Sequence, residues 1–207
     1  MILLRRGEEL VIRAGREVLM GTRMHGSEEA LADLAYDHLG TRVGTRVLVG
    51  GLGMGFTAAA ALRRCPADGA VVVSELVPKI VDWNRGLLGP AAGRPLDDPR
   101  LSVEMGDIAV LLRSSTTAWD GILLDVDNGP SPLSQEANQW LYSRAGLAAL
   151  LGALRSDGVV CVWSASGDEA FTRRMESAGF RVDVHRVRAR GGKRGPRHII
   201  WVGRKGR

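Results

Sequence analysis

Hydrophobic and polar positions change period along the chain, and the changes mark its elements. Leu10-Val11-Ile12-Arg13-Ala14 and Glu17-Val18-Leu19-Met20 read as two strands across a Gly15-Arg16 turn, an opening hairpin. A helix is predicted from about Ser27 to His38, with Ser27 as N-cap and Glu28 and Glu29 complementing the dipole in its first turn. Short apolar strands and helices then alternate. Val47–Val49 is a strand and Met54 to Arg64 an Ala-rich helix ended by Cys65-Pro66. Val71–Val73 is the second strand and Pro78 to Leu88 a helix with proline in its first turn. Leu101–Val103, a short helix over Ile108 to Arg113, and the strongly apolar strand Gly121 to Val126 follow. A long helix is predicted from Ser134 to Leu154, then a strand over Gly158 to Trp163 and a helix over Asp168 to Ala178 closed by Gly179. Two strands, Arg181 to Arg188 and His198 to Val202, finish the pattern without a helix between them.

Apolar strands separated by helices require a mostly parallel sheet covered on both faces. The last two strands are too close in sequence for a parallel crossover, so they run antiparallel. The prediction is a doubly wound, seven-stranded α/β sheet with a C-terminal antiparallel hairpin, which is the outline of the class I methyltransferase fold. A short N-terminal β-hairpin extension (residues 1–24) precedes the main domain (residues 25–207). In such sheets ligands bind at the carboxyl ends of the strands.

Composition changes this picture little. The 207 residues are 45% hydrophobic and 25% charged, ordinary for a globular chain with one core. No apolar run approaches the roughly 18 residues of a membrane span. Without a signal-like start, and with Cys65 and Cys161 far apart in apolar segments, the chain reads as cytoplasmic with reduced thiols. The net charge of +5 is local: 8 of the 28 basic residues fall in residues 188–207, which hold no acid. The remainder has 20 bases against 23 acids, so the body is mildly acidic and a nucleic-acid partner is set aside in favour of a solvated basic hairpin.

Chemistry concentrates after the strands. Gly50-Gly51-Leu52-Gly53-Met54-Gly55 leads from the first strand into a helix, where glycines permit a sharp turn and close approach of a ligand. Glu75 ends the second strand, placed where a carboxylate accepts both hydroxyls of a ribose. The glycine spacing is G-x-G-x-G and not the dinucleotide G-x-G-x-x-G, which argues against NAD. Gly106-Asp107 follows the third strand, where Asp107 reaches an adenine amino group, caps the next helix, or does both. The fourth strand runs into Asp125-Val126-Asp127-Asn128-Gly129-Pro130, and carboxylates beside a ligand crevice are costly unless solvated or used.

These segments together resemble the spermidine synthase family, from about Glu17 to about Gly179. Val47 to Gly55 resembles that family's glycine loop, Val72 to Val81 its ribose-binding acid and following helix, Asp98-Pro99-Arg100 with Gly106-Asp107 its third-strand region, and Leu123 to Pro130 its catalytic loop. The resemblance implies a donor of the S-adenosylmethionine type, held by Gly51, Gly53, Met54, Gly55, Glu75, Leu76, Gly106, Asp107, Ile108 and Asp125. It implies that Asp125 takes the proton of an attacking amine and that Glu29 and Asn128 face a small-molecule acceptor; the residues themselves add Asp127, close enough in sequence to help Asp125 attract and orient a protonated amine, and His25, which precedes a helix near the site mouth and serves as a base or substrate contact. There are departures. The family has an aspartate where this chain has Met54, and its second loop aspartate matches Asn128. The tyrosine and glutamine of the family's N-terminal region are unmatched, with Ser27 standing about where the tyrosine would be. Loss of the acid at Met54 favours whole S-adenosylmethionine and methyl transfer. Aminopropyl transfer from decarboxylated S-adenosylmethionine comes second, and a catalytically silent adenosyl-binding module third.

Other candidates have simpler readings. Trp83, Trp140, Tyr142, Trp163 and Trp201 read first as packing residues. No cluster has metal-ligand spacing, so no metal is expected. A homodimer is expected, paired through the hairpin and the apolar stretch from Trp140 to Leu154.

Overall fold

The computed structural model describes residues 1–126, 130, 139–190 and 195–206. Among these residues, a seven-stranded sheet is built from β4 (Arg46–Gly50), β5 (Ala70–Glu75), β6 (Leu101–Met105), β7 (Trp119–Leu124), β8 (Leu154–Ser164), β9 (Arg181–Arg188) and β10 (Arg197–Arg204). Its order is β6-β5-β4-β7-β8-β10-β9; β4 to β8 pair in parallel, and β10 runs antiparallel to both β8 and β9. The order reverses at β4, so the carboxyl ends of β4, β5 and β7 frame the crevice where this architecture takes ligands.

Alternation along the strands divides the core in two. Val47, Val49, Val71, Val73, Leu123, Cys161, Ile200 and Val202 face one layer. That layer contains α1 (Gly26–Leu39), α2 (Phe56–Arg64) and α3 (Pro78–Arg85). Leu48, Val72, Ile122, Leu124, Val160, Val162, Ile199 and Trp201 face the other. It contains α4 (Ile108–Ser114), α5 (Arg144–Ala153) and α6 (Glu169–Ser177). Both faces are therefore buried, and the strands read as continuous apolar runs for that reason. Each fully buried Val, Leu or Ile contributes roughly 1.5–3 kcal/mol of transfer free energy.

The N-terminal strands form a sheet of three. The predicted hairpin is β2 (Glu9–Ala14) with β3 (Glu17–Gly21), and β1 (Ile2–Arg6) adds a strand antiparallel to β2. Ile12 is wholly buried in the same core as α1 and α2, which anchors this small sheet to the larger one.

Several predicted helix limits are corrected. α2 starts at Phe56 and not at Met54, because Gly55 turns left-handed (φ 86°) immediately before it. α3 stops at Arg85; Gly86 ends it, and two 3-10 turns over Gly89–Ala92 and Pro95–Asp97 carry the chain on. Ser27 does not cap α1. His25 occupies that position without a side-chain bond, and the Ser27 hydroxyl turns inward. The single helix predicted over Ser134 to Leu154 lies partly outside the described residues, and the rest is interrupted. Residues 140–143 are a turn, and Ser143 starts α5 as its N-cap, accepting from the Gly146 amide at 3.2 Å.

Gly146 is a strict requirement there, since a Cβ on it would stand 2.1 Å from the Trp140 carbonyl oxygen and 2.6 Å from that of Leu141. Backbone cannot yield to that extent. Gly146→Ala is expected to cost about 3 kcal/mol in a urea unfolding titration, against about 1 kcal/mol or less for Ala148→Gly in the same helix.

Candidate active site at the carboxyl edge of the sheet

The glycine turn after β4 is fixed from both sides. Gly51, Gly53 and Gly55 all have positive φ (83°, 51° and 86°), backbone that favours glycine. Gly51 also lies so close to β7 that an added Cβ would be 3.1 Å from the Asp125 carbonyl oxygen, while the Asp125 amide donates to the Gly50 carbonyl at 3.2 Å. Asn84 on α3 donates to the Gly53 carbonyl at 2.9 Å and leaves its own Oδ1 buried without a partner among the described residues. The atoms nearest an added Cβ on Gly53 belong to Met20 of β3, so the small sheet covers this turn.

Glu75 links the turn to β5. One carboxylate oxygen accepts the Leu52 amide at 2.8 Å, and the other accepts the Val77 amide at 2.8 Å. Each oxygen keeps a second lone pair. The residues beyond it are open: Leu76 is 66% exposed, and Gly106, bonded through its amide to the Glu75 carbonyl, has nothing within 4 Å of an added Cβ among the described residues. Asp107 caps α4 by accepting the Ala109 amide at 2.8 Å. Ile108 and Met54 are buried among apolar side chains, Met54 only 4% exposed.

Strand alternation continues past the strand ends and explains the second half of the site. Asp125 follows the face of Leu123, toward α1 and α2, and accepts a hydrogen bond from the Thr57 hydroxyl at 2.6 Å. His198 follows the face of Ile200 and reaches the Ser27 hydroxyl of α1 through Nδ1 at 2.8 Å. Ser27, 0% exposed, donates to Glu28 Oε2 at 2.7 Å. Burial raises the Asp125 carboxyl, against the lowering effect of the Thr57 bond. Burial first, and then the charge of Asp125, push Glu28 from its ordinary 4.5 up to about 7. Two carboxyls of raised pKa therefore feel one another's charge, and the Thr57 hydroxyl touches both residues, Asp125 Oδ2 at 2.6 Å and the Glu28 carbonyl at 3.4 Å.

Of the sequence-predicted acceptor residues, His25 and Glu29 make other contacts. His25 stacks on Phe56 with ring centroids 4.2 Å apart, and its Nδ1 stands 3.6 Å from Glu29. Glu29 is paired with Arg63 at 3.2 Å, so it is Glu28 that α1 brings to Asp125. Asp127 and Asn128 lie outside the described residues. Glu28, Thr57, Ser27 and His198 were not singled out as site residues from sequence. A signal existed for Glu28: the positions three, four and seven residues on, Leu31, Ala32 and Ala35, are all apolar and all buried. Neither thiol competes as a nucleophile, because burial raises both Cys65 and Cys161.

The Glu28 shift has a stability consequence. A carboxyl whose folded pKa is raised binds its proton more tightly in the folded state, so its favourable contribution is complete below about 4.5 and lost as pH climbs through about 7. Glu28→Gln is expected to raise unfolding free energy on the order of 2 kcal/mol at about pH 8 and to change it little at about pH 4.5, read by urea titration at both.

Solved structures share this architecture, among them the following three. The spermidine synthase of Thermotoga maritima aligns with a TM-score of 0.75 at 19% identity over 95% of this chain. A spermidine synthase in complex with the transition state analogue AdoDATO aligns at 0.76 and 18% identity, again over 95% of this chain. TrmN from Thermus thermophilus gives 0.59 and 23% identity, over 86% of this chain and 48% of that one. The fold is that of the class I methyltransferases. Among them, the likeness to the spermidine synthases reaches further along the chain, and this chain spans 66% and 67% of the lengths of those two proteins. No protein-family model and no curated protein sequence matches it. Among the described residues, no helix is long and apolar enough to cross a membrane. Because a class I methyltransferase fold can host unrelated reactions, the chemistry has to be argued from the residues.

Proposed function

We propose that the chain is a group transferase that draws on an S-adenosylmethionine-type donor, with methyl transfer to a small amine or other heteroatom acceptor as its reaction. The observation that carries this reading is the glycine turn held between Glu75 and Asp125: Leu52 amide to Glu75 at 2.8 Å on one side, Asp125 amide to Gly50 at 3.2 Å on the other. The free lone pairs of Glu75 suit ribose hydroxyls. Exposed Leu76 and open Gly106 suit a flat adenine ring, and Asp107 keeps an oxygen for its amino group. When bound, such a donor supplies an electrophilic carbon on a sulfonium. The acceptor's lone pair forms the new bond to that carbon, and the carbon–sulfur electron pair stays on sulfur. The acceptor's proton goes to Asp125, whose burial and raised pKa make it a better base than an exposed carboxylate. Thr57 fixes the orientation of that carboxylate through its 2.6 Å bond.

Met54 supports methyl over aminopropyl transfer. Its side chain is packed in the core, so this position of the turn offers no carboxylate to an ammonium-ended arm. One observation favours the alternative: Glu28 sets a second carboxyl beside Asp125, a pair suited to a cationic aminopropyl group. The by-product separates the two whatever the acceptor is. The chain is incubated with each donor and a panel of primary amines. S-adenosylhomocysteine formed from S-adenosylmethionine is the expected result, methylthioadenosine formed from the decarboxylated donor establishes aminopropyl transfer, and neither product with either donor leaves a silent binding module.

A further inference from the structure

We propose that Glu28, Ser27 and His198 form a hydrogen-bonded proton relay, coupled through charge to the Asp125 base, that ends at the partly exposed ring of His198 on the C-terminal hairpin. This rests on the reading of Asp125 as the base of a group transfer. It adds three residues from two distant segments that the resemblance to spermidine synthases does not assign to the reaction, Glu28 and Ser27 at the start of α1 and His198 at the start of β10.

The geometry is a continuous chain. Ser27 Oγ lies 2.7 Å from Glu28 Oε2 and 2.8 Å from His198 Nδ1. Ser27 is wholly buried, so its single hydroxyl hydrogen has these two partners to choose between. His198 is partly exposed and rests edge-on against Trp163, ring centroids 4.7 Å apart. Burial holds the ring below the ordinary histidine range, so at neutral pH it is uncharged and carries one hydrogen.

One hydroxyl hydrogen between two partners permits two arrangements. With Glu28 ionised, Ser27 donates to Glu28 and His198 donates from Nδ1 to Ser27. With Glu28 protonated, Glu28 donates to Ser27, Ser27 donates to Nδ1, and the histidine hydrogen sits on Nε2. Passing from the second to the first moves one proton outward. Glu28 gives its hydrogen to Ser27, Ser27 gives its own to Nδ1, and the ring releases the Nε2 hydrogen to water. Charge and protons balance, and no other reactant is needed.

The link to Asp125 is electrostatic. The groups around Glu28 are Asp125 after β7, Thr57 on α2, His198 on β10, and its neighbours Ser27 and Glu29 on α1. Arg63 on α2 is turned to Glu29. A proton arriving on Asp125 removes the charge that holds Glu28 protonated and so releases the Glu28 proton down the relay: Asp125 ends protonated, Glu28 ionised and one proton is in water, so the pair keeps its starting charge, and a further cycle requires Asp125 to lose its proton and Glu28 to regain one. Ser27 and His198 act through Glu28 and are positioning residues.

The test reads the relay in the protein alone. The His198 ring nitrogens are followed by two-bond nitrogen–proton correlation on ¹⁵N-labelled chain across about pH 5 to 9. The expected result is a change from the Nε2–H to the Nδ1–H form as pH rises through about 7, where Glu28 titrates. Glu28→Gln and Ser27→Ala should each abolish that change, and Asp125→Asn should move its midpoint down by about one unit or more. A single tautomer throughout in the unaltered chain, persistence of the change in Glu28→Gln, or an unmoved midpoint in Asp125→Asn would each overturn the proposal. Because no donor or acceptor is used, failure of the transferase reading would show itself separately, in the by-product assay.

Discussion

Asparagine at position 125 is expected to leave donor affinity within about threefold and to lower group transfer by about 10²-fold or more. The substitution is nearly isosteric, and the Thr57 hydroxyl that donates to the carboxylate at 2.6 Å can donate to the amide oxygen equally well. What is lost is the capacity to take a proton from the attacking atom. Folding should not suffer, because the raised carboxyl at this place is a desolvated charge and its removal relieves the structure. Turnover and thermal unfolding measured on the same preparation check both halves. Unchanged turnover would remove Asp125 from the chemistry, whereas a loss of turnover accompanied by loss of fold would say nothing about proton transfer, which is why the amide and not alanine is the variant of choice.

Glu75→Ala is expected to have the larger effect on binding. The carboxylate accepts the Leu52 and Val77 amides at 2.8 Å each, in a place where the side chain is buried. Removal leaves two backbone donors without partners, at roughly 1–3 kcal/mol apiece. It also frees the glycine turn from β5, so the surface offered to a ribose loses both its hydrogen-bond acceptors and its fixed position. Donor affinity should fall by about 10²-fold or more, with unfolding free energy down by about 2–5 kcal/mol. Glu75→Gln separates the two roles, since its one carbonyl oxygen satisfies one amide while its NH₂ opposes the other; an intermediate loss in both measurements is expected. Equal affinity in all three proteins would exclude Glu75 from the ligand site.

The sheet was legible because both of its faces are buried. Runs such as Val71–Val73 and Ile122–Leu124 carry no solvent face to interrupt them, and helices must lie between parallel strands, so the strands and their directions followed from pattern alone, while their order across the sheet came from the structure. The glycine turn was legible because positive φ at Gly51, Gly53 and Gly55 constrains residue type there, and Glu75 because a carboxylate at that strand end accepts the Leu52 and Val77 amides. Helix limits were less so: the turn at residues 140–143 is set by Ser143 capping and by the close approach of Gly146 to the Trp140 backbone, a local fit that hydrophobic periodicity does not carry. β1 was missed because Ile2–Arg6 alternates weakly, with most of its side chains exposed.

The acid pair shows the limit differently. Glu28 and Glu29 looked equivalent as first-turn acids, and the choice between them depends on which face of α1 meets the sheet. The buried stripe of Leu31, Ala32 and Ala35 places Glu28 inside, while Glu29 turns to Arg63. His198 is brought to Ser27 from 171 residues away by the antiparallel return of β10 along β8. Its alternation with Ile200 and Val202 marks it as inward-facing, but only the sheet order says what it meets.

Whether this edge of the sheet holds a sulfonium donor is decided by thermal unfolding with S-adenosylmethionine, its decarboxylated form and NAD at one concentration. A ligand at about 100 times its dissociation constant adds about 2.7 kcal/mol, a shift of several degrees for a chain of this length. Stabilisation by S-adenosylmethionine, weaker stabilisation by the decarboxylated form and none by NAD is the expected order. An unfolding temperature that moves with neither sulfonium compound would contradict the account.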